Sequence, residues 1–86
     1  NQVAFWSRAV SRDPDFSPAR GQLGGAMLAR GRYDEALPHL AARLADAPWD
    51  EEAAANMEAL GRAAPSLKEE AARQLARAAS LKARTP

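Results

Sequence analysis

Residues 17–50 read SPARGQLGGAMLARGRYDEALPHLAARLADAPWD, and this stretch decides the fold. It opens on Ser17-Pro18, an N-cap residue followed by proline at the first helical position, where a missing N–H costs nothing. Leu23, Met27 and Leu28 then supply the larger apolar side chains of a helix that runs to Gly31, a residue suited to the left-handed conformation that ends helices. A second helix is predicted from Tyr33 to about Ala47. Leu37, Leu40 and Leu44 form its buried stripe, while Asp34 and Glu35 sit in its first turn, where the helix dipole favours negative charge. Pro38 removes one backbone bond early in this helix and is expected as a tolerated bend. Two helices joined by so short a turn pack antiparallel.

The pattern continues on both sides. Pro14 and Pro48 stand thirty-four residues apart, as do Trp6 and Leu40, and Val10 and Leu44. Such a period, in a chain rich in Ala, Leu, Arg and Glu, marks stacked helical hairpins. Upstream, Val3, Trp6, Ala9 and Val10 fall at helical spacing, and Arg12-Asp13-Pro14 closes that helix. Downstream, Trp49-Asp50-Glu51-Glu52 opens a fourth helix with an N-cap and two acidic residues. Ala53, Met57 and Leu60 point inward, and Gly61 with Ala63-Ala64-Pro65 ends it. Ser66 and Glu69 are spaced as a capping box for a fifth helix, which runs through Leu75 and Leu81 to about Arg84.

Ser17 to Asp50 resembles one complete tetratricopeptide repeat. Leu23-Gly24 stands at the family's Leu-Gly pair, Met27 at its Tyr, Gly31 at the small turn residue, Ala36 at its Ala, Leu40 at its aromatic and Pro48 at the closing proline. Gly24 and Ala36 are small, which lets the two helices approach closely. Two departures stand out: Arg20 replaces the Trp, and Arg43 stands where a second small Ala is usual. Residues 1–16 resemble the second helix of a truncated repeat, with Trp6 at the aromatic, Ala9 at the second Ala and Pro14 at the closing proline. Residues 51–86 resemble a degenerate copy ending in a long capping helix, in which Met57 takes the Leu position and Glu58 replaces the Gly. The implied fold is all-α: a short right-handed alpha-alpha superhelix, or solenoid, of about five antiparallel helices.

Composition removes several function classes. A formal net charge of +1 gives no whole-chain field that would recruit nucleic acid. There is no cysteine for a thiolate metal site or a disulfide, and a single imidazole, His39, read as a solvated surface group. Asp50, Glu51 and Glu52 read as a helix cap with dipole-matched charges rather than metal ligands, and Gly21, Gly24 and Gly25 lack the strand and lysine of a phosphate loop. No catalytic, metal or cofactor site is expected, and the chain is read as non-enzymatic. No apolar run spans a bilayer, so the segment is expected to be soluble, with no compartment assigned. Its excess of Arg over Lys and heavy use of Ala suggest a bacterial source.

The resemblance implies a scaffold that holds a protein or peptide in a concave groove lined by the first helix of each hairpin. The residues it places there are Gly21, Gly25, Leu28 and Ala29, then Glu52, Ala55, Asn56, Ala59 and Arg62, with Trp49 near the junction. Asn56 is available to a partner's main chain and Arg62 to a carboxylate. Gly21 and Gly25 equally fit a role in helix packing alone. The first helix lacks a hairpin mate, so Val3, Phe5, Trp6 and Val10 are expected to leave apolar surface open for end-to-end packing or self-association. The alternative is a non-catalytic, C-terminal accessory domain of a larger enzyme. Phe5-Trp6 with Ala9-Val10 and Pro14 is similar to the junction after the last span in membrane-embedded, glycosyltransferase-like proteins. On the last helix, Glu69 and Arg73 are placed to pair.

Overall fold

Local caps and turns set the starts of the first and fourth helices and the end of the second. The computed structural model describes residues 1–84; Thr85 and Pro86, at the end of the third expected segment, lie outside the described residues. Five α-helices follow one another: α1 (Gln2–Arg12), α2 (Ser17–Ala29), α3 (Tyr33–Asp46), α4 (Glu51–Ala63) and α5 (Lys68–Ala83), with one 3-10 turn, Pro65–Leu67, before the last. Asn1 caps α1 by accepting from the Ala4 amide at 2.8 Å. Gly31, at φ 73°, closes α2: its own N–H reaches Leu28 O at 3.0 Å and the Arg32 N–H reaches Met27 O at 2.9 Å, the paired bonds of a Schellman turn. Asp50 caps α4, accepting from the Ala53 amide at 3.2 Å. Helix α3 runs unbroken through Pro38 and ends at Asp46, one residue before the expected boundary.

Three terminal expectations need correction. Ser17 is the first residue of α2 and not its cap; Phe16 holds that place with no side-chain bond, because the Ser17 hydroxyl is engaged elsewhere. The box expected of Ser66 and Glu69 is not what starts α5. The chain enters that helix through the 3-10 turn after Pro65, and no side chain caps it. Gly61 does not end α4; it is buried inside the helix, where a Cβ would stand 3.2 Å from that of Ala71, so it serves the α4–α5 crossing.

Consecutive helices pack against each other, and in addition α2 touches α4 and α3 touches α5. That next-but-one contact makes a two-layer solenoid, with α2 and α4 in one layer and α3 and α5 in the other. The Cα envelope of 35 × 30 × 15 Å is correspondingly thin. Between the layers lie Leu23, Met27, Ala36, Leu40, Leu44, Met57, Leu60 and Ala71, with Val3 joining from α1. The α2–α3 crossing is close because Gly24 has no side chain: a Cβ there would fall 2.7 Å from Leu40 Cγ. Burying the four fully enclosed side chains, Leu40, Leu44, Met57 and Leu60, contributes about 1.5–3 kcal/mol each.

Candidate functional site

The face formed by α2 and α4 carries the residues that the repeat pattern places in a groove, and they fall into three zones. At the N-terminal ends of the two helices, Gly21 and Glu52 line a cavity of about 60 Å³ together with Pro18, Gln22, Arg43, Asp50 and Ala53. Gln22 Nε2 donates to Glu52 Oε1 across it at 3.4 Å, a long bond. In the middle, Gly25 lies against Asn56, whose Nδ2 would stand 3.1 Å from a Cβ at Gly25. Ala29 and Ala55 are exposed, Ala59 is half-buried, and Leu28 leans on the hydrophobic core as well as on this face. At the far end Arg62 lines a second cavity, of about 180 Å³, between α4 and α5. Its other walls are Glu58, Gly61, Lys68, Ala71, Ala72 and Leu75. Trp49, 60 % exposed, stands at the junction before α4.

The cavity near Gly21 is built on a polar cluster that sequence spacing did not reveal. Arg43 Nε donates to Asp50 Oδ2 at 2.7 Å and its Nη1 donates to Ser17 Oγ at 3.0 Å; Ser17 in turn donates to Asp46 Oδ2 at 2.5 Å. Burial works against the Asp50 charge, but the Arg43 hydrogen bond and then the Ala53 amide outweigh it and hold the carboxyl below its ordinary value. The available signal was Arg43 itself, a long charged residue at a position the family keeps small.

Elsewhere the polar surface differs in two details from expectation. His39 is half-buried rather than solvated. Burial first, and the Arg20 charge second, lower its pKa, with Glu35 opposing. His39 Nδ1 and Arg20 Nε are both buried with no hydrogen-bond partner among the described residues. On α5, Arg73 pairs with Glu70 at 2.6 Å and not with Glu69, an i,i+3 pair in place of i,i+4. At the N-terminal end, Val3 is buried and Trp6 and Val10 pack on the core, so these three are largely covered. Phe5 remains 57 % exposed, set edge-to-face on Trp6 with ring centroids 4.9 Å apart. Among the described residues, no group of side chains could hold a metal ion, and no helix is long and apolar enough to cross a membrane.

These features define a class: a helical-hairpin solenoid with an open face of small residues. The family model described as tetratricopeptide repeat matches residues 4–61, and the chain belongs to that family. Repeats of this family are non-catalytic units that mediate protein–protein interaction. No curated protein and no solved structure matches the chain.

Proposed function

We propose that the protein is a binding module that holds a segment of a partner protein on the α2–α4 face. The observation that supports this most directly is how little side chain covers that face. Ala29 and Ala55 are exposed, Ala59 is half-buried and Gly25 leaves room for the Asn56 amide, so a partner's backbone can come within hydrogen-bonding range of Asn56. Among the described residues Arg62 is paired with Glu58 alone, at 2.8 Å, with both side chains mostly exposed, and an incoming carboxylate can compete for it. Trp49 offers an aromatic anchor at the rim. A panel of labelled peptides titrated by anisotropy against the wild type and an Asn56→Ala, Arg62→Ala double variant tests the reading. Loss of affinity in the variant is expected, and equal affinities remove the groove from consideration.

Exposed Phe5 favours a second reading, in which the outer face of α1 packs on another body. That body is either a second copy of the chain or another part of a longer protein. In the latter case the segment acts as the accessory domain of an enzyme and is itself non-catalytic. Light scattering over a concentration series separates the two, since a strict monomer at high concentration rules out the second copy.

A further inference from the structure

The two hairpins share one apolar core, and the joint between them adds a polar cluster to it. Inside α2–α3 the contact is steric, Gly24 against Leu40. The Arg43 guanidinium is held inside its own hairpin by Ser17 at the start of α2, and across the joint it reaches Asp50 at the start of α4. Its stem needs space, and Gly21 provides it: a Cβ there would lie 2.9 Å from Arg43 Cγ. The other ion pairs among the described residues, Arg32–Glu35, Arg62–Glu58 and Arg73–Glu70, join neighbours three or four positions apart. Arg43–Asp50 alone among them bridges two hairpins, and it is better shielded from water, with side-chain exposures of 20 % and 22 %. Shielding strengthens the attraction and weakens salt screening. Among the described residues, the direct side-chain tie between α2 and α4 is the long Gln22–Glu52 bond.

We infer that Arg43 is a latch that fixes the angle between hairpin α2–α3 and hairpin α4–α5, so that charge, and not packing alone, sets the curvature of the solenoid. With the latch released the shared apolar core still joins the hairpins, but the angle between them is held less tightly and the two rock more widely about residues 47–50 in the manner of a hinge. This holds whatever the α2–α4 face binds.

The chain has no cysteine, so two introduced ones can be spin-labelled cleanly. Exposed Asp34 on α3 and Ala79 on α5 place one label on each hairpin. Pulsed electron paramagnetic resonance then reads the distance distribution in three backgrounds: the otherwise wild-type chain, Arg43→Met and Asp50→Asn. Arg43→Met keeps an unbranched stem beside Gly21 and removes the guanidinium. Asp50→Asn keeps a competent helix cap while removing the charge, so the question remains decidable if the first variant fails to fold. The expected result is a distribution wider than that of the wild-type background in each folded variant, as for two bodies freed to rock. A distribution as narrow as that of the wild-type background in either folded variant overturns the latch.

Discussion

Gly24 and Gly25 are neighbours on one helix, yet alanine at the two positions should change stability with opposite sign. Replacing a helical glycine by alanine contributes about 1 kcal/mol of stability through backbone entropy alone. At Gly24 the new methyl would sit 2.7 Å from Leu40 Cγ, 2.9 Å from its Cδ2 and 3.2 Å from its backbone nitrogen. Leu40 is fully buried, so it cannot swing aside, and the backbone atom means that the helices themselves must separate. Overpacking of this kind costs about 1–3 kcal/mol, and a clash that includes a backbone atom falls at or above the middle of that range, which leaves a net loss of about 1 kcal/mol after the entropy gain. At Gly25 the one near atom is the amide nitrogen of Asn56, at 3.1 Å, the far end of a half-buried side chain that can rotate. The gain survives there. In a domain of this size 1 kcal/mol moves Tm by about 4–8 °C, well within the reach of thermal unfolding followed by circular dichroism. Gly24→Ala should lower Tm by about that much and Gly25→Ala should raise it by slightly less. A Gly24→Ala protein as stable as Gly25→Ala would falsify the claim that the α2–α3 crossing is glycine-limited.

Two further outcomes follow from the polar surface. Because burial and Arg20 depress the His39 pKa below the ordinary histidine value of about 6.5, the unfolded chain binds a proton more readily than the folded one. Stability present above that value is therefore lost as pH falls through the lower folded value. Tm measured from about pH 7.5 down to about pH 5.5 should decline less steeply in His39→Gln than in wild type, and parallel curves would assign the decline to other groups. Arg62→Ala, by contrast, should alter stability by less than about 0.5 kcal/mol, since its pair with Glu58 is mostly exposed on both sides. A larger loss in urea unfolding would show that Arg62 has a structural role in the α4–α5 cleft, and would disqualify it as a probe of binding.

Local chemistry carried most of the architecture. The number of helices, the hairpin pairing and the Schellman stop at Gly31 depend on periodicity and on residues a few positions apart, all of which the chain displays in order. The buried stripe of Leu40 and Leu44 was legible for the same reason. The site was only partly legible. Repeat spacing proposes which residues share a face, but not that Gly21 makes room for Arg43, or that Gly25 lies against Asn56.

What the sequence determined by itself is a stack of helical hairpins belonging to a protein-binding repeat family, because a thirty-four-residue period leaves each hairpin with an apolar face that only its neighbour can bury. Tertiary structure alone decided where the polar side chains ended up. Ser17 left its expected capping role for Asp46, twenty-nine positions away, and His39 turned out half-buried beside Arg20. Arg43 joined three helix ends. Hydrogen bonds between side chains so distant in sequence have no periodicity to betray them; they exist only once packing brings the donors and acceptors within about 3 Å.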